Sequence, residues 1–82
     1  MNETPEHRLK RMRMRAWRRG TKEMDLILGP FADRELAGMS VAHLDLFDAL
    51  LDENDQDLYQ WVSGQAEVPP RFAELVAGLV PK

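Results

Sequence analysis

The sequence predicts an all-α protein, a compact single-domain bundle of five short helices over residues 1–82. Three observations lead there. Apolar residues recur at three- and four-residue spacing in five successive stretches, no stretch alternates apolar and polar residues over a useful length, and residues suited to capping or stopping a helix stand between the stretches. There is no internal repeat and no low-complexity segment. A chain of 82 residues and 9.5 kDa leaves no room for a second domain.

Thr4-Pro5 reads as N-cap and first helical residue, because Pro lacks only an N–H that the first turn leaves unbonded. The first helix then runs to about Arg19, with Leu9, Met12, Ala16 and Trp17 on one stripe and arginines over the rest of its surface. Gly20 suits the left-handed conformation that ends a helix, and Thr21 is placed to cap the next one at once, so the connection is tight. The second helix starts near Lys22, carries Glu23 and Asp25 in its first turn where the helix dipole favours carboxylates, and buries Met24, Ile27, Leu28 and Phe31. Gly29-Pro30 predicts a kink or a break, since Pro30 offers no N–H to the Leu26 carbonyl and its ring crowds that turn. This helix ends near Gly38. Ser40 caps a third helix whose Val41, Leu44, Phe47 and Leu51 face inward and whose Asp45, Asp48 and Asp52 face water. A short fourth helix spans about Asp55 to Ser63, anchored by Leu58, Trp61 and Val62 and stopped by Gly64. Pro69-Pro70 starts the fifth, with Phe72, Leu75, Val76, Leu79 and Val80 on its apolar stripe.

Composition and charge narrow the functions. With 44% hydrophobic and 30% charged residues the chain is an ordinary globular sequence, and with no cysteine it has no disulfide, thiolate metal site or cysteine nucleophile. No apolar run approaches the ~18 residues of a membrane span and no secretory signal opens the chain, so membrane insertion is not expected and the expected location is the cytoplasm. The Arg-rich N-terminus imitates a mitochondrial transit peptide, but its apolar stripe reads as part of the domain. Residues 1–23 carry eight Lys or Arg against three Glu, a balance of +5, and residues 24–82 carry three against eleven carboxylates, a balance of −8. Such a cationic pole suits phosphates, an acidic protein face, or the protein's own acidic half.

No enzyme signature is present. An EF-hand loop starting at Asp52 would need Gly at position 57 and Glu at position 63, where Asp57 and Ser63 stand. His7 and His43 have no second ligand at metal spacing, and Ser40, Ser63, Thr21 and Tyr59 have no local base motif. No catalytic residue and no metal ligand is therefore assigned. A basic helix joined tightly to a second one leaves a small regulatory or nucleic-acid-binding protein, such as an antitoxin, as the alternative function, against which the pI near 5.3 speaks.

At the first junction, Arg18-Arg19-Gly20-Thr21-Lys22-Glu23-Met24-Asp25 resembles the R-G-x-x-E motif of the succinate dehydrogenase flavinylation factors, the SdhE family. Trp17 before the motif, Leu26 to Phe31 after it, and Asp55-Gln56-Asp57-Leu58-Tyr59-Gln60-Trp61 further on fit the same pattern, so the likeness covers about residues 8–64. The resemblance implies an all-helical assembly factor, neither enzyme nor flavin carrier by its family role, that binds the flavoprotein subunit of succinate dehydrogenase, and in some bacteria of fumarate reductase. It implies help in the covalent attachment of FAD, the partner's cofactor, while the flavoprotein performs the bond-forming chemistry. The implied partner-binding residues are Arg19, Gly20 and Glu23, with Arg18, Trp17 and Asp25 beside them. Gly20 would let a partner approach the backbone, and Arg19 would offer planar donors to it. Glu23 is placed to pair with Arg19, to touch the partner, or to orient a group near the flavin. A monomer forming a one-to-one complex is expected.

Overall fold

The Thr4 hydroxyl accepts a hydrogen bond from the His7 N–H at 3.2 Å and Pro5 fills the first turn, which starts α1, Pro5–Trp17. The computed structural model describes residues 3–80, in which α1 is followed by α2 (Lys22–Glu35), α3 (Val41–Leu51), α4 (Asp55–Ser63) and α5 (Ala73–Leu79). Short 3-10 turns at Leu36–Gly38 and Pro70–Phe72 complete the order, and no strand occurs among the described residues. Thr21, Ser40 and Asn54 cap α2, α3 and α4, accepting from the N–H groups of Met24, His43 and Asp57 at 3.3, 3.2 and 2.9 Å. Each such cap contributes about 1 kcal/mol. Gly64 closes α4 at φ 81°.

The core gathers one stripe from every helix, with Met12 and Ala16 of α1, Leu28 of α2, Phe47 of α3, Leu58 of α4 and Leu75 of α5 all buried. Phe31 and Phe47 pack within it with ring centroids 5.5 Å apart. The Arg-rich first helix is thus built into the domain.

Several expectations are corrected. The first helix stops at Trp17 rather than near Arg19, because Arg18 leaves helical geometry at φ −127°, ψ 56°. The second helix runs unbroken through Gly29-Pro30. Pro30 deprives only the carbonyl of Leu26, a residue 55% exposed, while the burial of Leu28, Phe31 and Ala32 holds both sides of that turn on the core. Val41, at the start of α3, is 69% exposed and Leu50 takes the inward position in its helix. Val80 lies past the end of α5 and is also exposed.

The face of α3 assigned to water is instead half of a charge ladder. Arg8 donates to Asp45 at 2.6 Å, Arg11 to Asp48 at 2.8 Å, Arg15 to Asp52 at 2.7 Å and Arg19 to Asp55 at 2.9 Å. Both partners climb together, so α1 and α3 lie side by side in the same direction. Of the three readings of the cationic pole, the protein's own acidic half accounts for these four arginines. Hydrogen bonds from Arg11 hold the Asp48 carboxyl below the usual carboxylate range, against a partial desolvation that opposes the shift, and Arg11 does the same for Glu3 on the surface.

A carboxyl whose folded pKa is depressed contributes stability above its unfolded value and loses it as pH falls through the folded one. Thermal melts should therefore hold a constant Tm from neutrality down to about pH 5 and fall steeply below about pH 4. Asp48→Asn should lower the neutral Tm and flatten the acid limb; an acid limb of unchanged slope in that variant would assign the loss to other carboxylates.

Candidate functional site

The junction of α1 and α2 is a four-residue corner made by identifiable groups. Once Arg18 has left the helix, the Arg19 N–H donates to Asp25 Oδ1 at 2.7 Å, Gly20 turns the chain at φ 94°, and Thr21 caps α2. Gly20 therefore takes the left-handed conformation its sequence context predicts. A Cβ built there meets nothing within 4 Å, so the backbone at the tip is open to an approaching surface. Any other residue would be strained at that φ by roughly 1–2 kcal/mol without clashing inside the free protein.

Arg19 departs from its expected role. Its side chain is only 10% exposed, and all its reach is internal: Nε donates to Asp55 Oδ1 at 2.9 Å, Nη1 to the Leu51 carbonyl and Nη2 to the Glu53 carbonyl, both at 2.6 Å. The Leu51 carbonyl is that of the last residue of α3, where a helix leaves acceptors unbonded, and the Glu53 carbonyl lies in the link to α4. Arg19 thus ties the end of α3 and the start of α4 to the corner, and the donors expected to face a partner are already engaged. Its spacing of four from Arg15, like that of Arg15 from Arg11, is the sequence signal that it continues the ladder.

Glu23 is the converse. It stands exposed on the first turn of α2 and makes no ion pair or side-chain hydrogen bond with a described residue, which removes the pairing with Arg19 from its three readings. Beside it opens a cleft of about 540 Å³ between the start of α2 and α4, lined by Glu23, Asp55, Gln56, Tyr59, Gln60 and Gln65 among others. The four α4-side residues Gln56, Tyr59, Gln60 and Gln65 were not among the expected site residues. Three of them follow i, i+3, i+4 spacing on one helix face, a signal present in the sequence.

The flanking residues divide in the same way. Asp25 is a structural acceptor for the corner. The Trp17 indole lies flat over Gly29 of α2, and its Nε1–H donates to Asp33 at 3.1 Å, so this partly exposed ring pins α1 to α2. Trp61 sits half-buried with its ring centroid 5.9 Å from that of Phe72. Arg18 and Lys22 project from either side of Gly20 into solvent. Among the described residues no three His, Asp or Glu side chains converge as metal ligands would.

The chain matches the family described as flavinator of succinate dehydrogenase over residues 10–80. Its relatives include proteins named succinate dehydrogenase assembly factor 2, mitochondrial. That of Mycosarcoma maydis is 40% identical over 72 residues, covering 88% of this chain and 30% of the relative. That of Debaryomyces hansenii is 47% identical over 53 residues, covering 65% and 37%, and that of Meyerozyma guilliermondii 40% identical over 68 residues, covering 83% and 50%. The chain thus spans about half or less of the length of these relatives. Their names overturn the cytoplasmic expectation, since all three are mitochondrial. That expectation rested on the lack of a secretory signal and of a long apolar run, and neither property bears on import into an organelle. No helix among the described residues is long and apolar enough to cross a membrane. With a match over most of its length, reaching from inside α1 to the end of α5, the chain belongs to the flavinator of succinate dehydrogenase family, a family of succinate dehydrogenase assembly factors.

Proposed function

We propose that this chain binds the flavoprotein subunit of succinate dehydrogenase through the α1–α2 corner and promotes the covalent attachment of FAD to that subunit. The observation that carries the reading is the contrast at the corner. Arg19 and Asp25 fix its shape from inside, while Gly20 and Glu23 are left open at its tip beside the cleft of α4. A rigid corner with an unengaged carboxylate is preorganised for contact, because little freedom is lost on docking. The chain acts as a chaperone and not as an enzyme, and it forms a one-to-one complex as a monomer. The flavin belongs to the partner: the unpaired Glu23 carboxylate of the cleft would repel the pyrophosphate of FAD, and no phosphate-cradling glycine loop accompanies it. A fumarate reductase flavoprotein offers the same chemistry and is a second client on this reading. The nucleic-acid alternative loses half its basis, since four of the eight basic residues behind it are neutralised by α3 and α4.

Glu23→Gln tests the proposal with little effect on the fold, because the exposed dipole interaction it removes is about 0.3–1 kcal/mol. Covalent flavin, read as in-gel fluorescence of the denatured flavoprotein subunit, should fall sharply in cells carrying only this variant, at near-normal levels of the soluble factor. Full fluorescence would leave Glu23 as a helix-dipole residue only.

A further inference from the structure

Eight basic residues stand in positions 1–23, and the ladder engages Arg8, Arg11, Arg15 and Arg19. Lys10, Arg13, Arg18 and Lys22 enter no ion pair with a described residue, on a chain whose net charge is −3. Lys10 and Met14 stand one turn apart on α1, Arg18 follows four residues on as the C-cap of that helix, and all three are exposed. Met14 is 43% exposed although it is a large apolar side chain in the middle of a charged helix. A hollow of about 370 Å³ lies between Met14 and the arginines, with Arg18 on its rim.

We infer that the strip Lys10–Met14–Arg18 is a second contact surface for the flavoprotein subunit, and that it receives an acidic segment of that subunit with an apolar side chain placed against Met14. The inference rests on the function proposed above. Arg18 adjoins Gly20 in the chain, so the strip continues the corner without a gap. Two cations without partners, separated by one exposed apolar residue, complement a segment of alternating carboxylate and apolar character.

Other anionic occupants fit less well. A membrane surface would draw in apolar side chains, but Trp17, next to Arg18 in the chain, is held over Gly29 and by Asp33. A nucleic-acid backbone needs a run of cations, and here Met14 interrupts the run while Asp48 and Asp52 neutralise the arginines behind it.

The test measures binding of the purified flavoprotein subunit to the wild-type chain, to a Lys10→Glu/Arg18→Glu double variant, to a Lys10→Arg/Arg18→Lys double variant and to Glu23→Gln. The charge reversal should weaken binding roughly tenfold or more at low salt, with the difference shrinking at about 0.5 M salt, and the charge-keeping pair should bind like wild type. Circular dichroism should report the same helix content in all four proteins. Equal binding by the reversal variant, with Glu23→Gln weakened, would overturn the strip and leave the proposed function standing. No binding by the wild-type chain would overturn that function and the strip with it. Tighter binding of the wild type to anionic vesicles or to duplex DNA, lost on charge reversal, would assign the strip to phosphates and overturn the inference.

Discussion

Arg19→Ala should lower the stability of the fold by about 3 kcal/mol, a large share of what a domain of this size possesses. The substitution removes three charge-assisted hydrogen bonds at once, leaves Asp55 and the Glu53 carbonyl at the α3–α4 junction short of a donor, and leaves the Leu51 carbonyl to Arg15 alone. Arg19→Lys should recover only part of the loss, because an ammonium cannot hold a fork of carboxylate and two carbonyls in fixed directions. Urea unfolding gives the measurement, with a lower midpoint and an unchanged slope. Arg18→Ala, one residue away in solvent, should stay within about 0.5 kcal/mol of wild type. Equal midpoints for the two alanine variants would contradict the internal role of Arg19. Loss of flavinylation in an Arg19 variant is accordingly expected to accompany loss of folded protein, whereas loss in Glu23→Gln is not.

Gly29→Ala should destabilise the protein although helix propensity alone favours it by about 1 kcal/mol. A Cβ at position 29 would fall inside the Trp17 indole, so the ring must lift, breaking its contact with α2 and its bond to Asp33. A net loss of about 2 kcal/mol follows from overpacking of this kind. The cause is separable by a cycle: in a Trp17→Ala background the same Gly29→Ala change should become neutral or favourable. Additive losses would mean that Gly29 acts through something other than the indole.

The helices were legible because their ends carry local chemistry. Thr4, Thr21 and Ser40 cap the elements they precede, and Gly20 and Gly64 have the positive φ that their positions suggested. Gly29-Pro30 misled because local rules see a breaker pair, whereas tertiary burial on both sides carries the helix across it and the missing Cβ serves Trp17. Asp45, Asp48 and Asp52 looked solvated for a similar reason: nothing local says that α1 will lie against α3, a neighbourhood set by the length and direction of α2. The corner was found through its motif, but which of its residues face outward was not readable. Arg19 and Glu23 are both charged residues beside a glycine, and only the position of the α3–α4 junction makes one internal and leaves the other free.

The ladder between α1 and α3 has a consequence for how the two helices find their alignment. Its rungs recur about once per turn, so sliding α1 forward by one turn, roughly 5.4 Å, would set Arg8 opposite Asp48, Arg11 opposite Asp52 and Arg15 opposite Asp55. Arg8 already lies 3.5 Å from Asp48, and Arg15 3.3 Å from the same carboxylate, which shows how little separates neighbouring rungs. Periodic charge alone is therefore a degenerate code. Arg15 and Arg19 break the degeneracy, because the Leu51 and Glu53 carbonyls they bond lie only where α3 gives way to α4, and a slipped helix would carry both guanidiniums past them. Two residues of the four thus act as the index mark that gives the other two a unique reading.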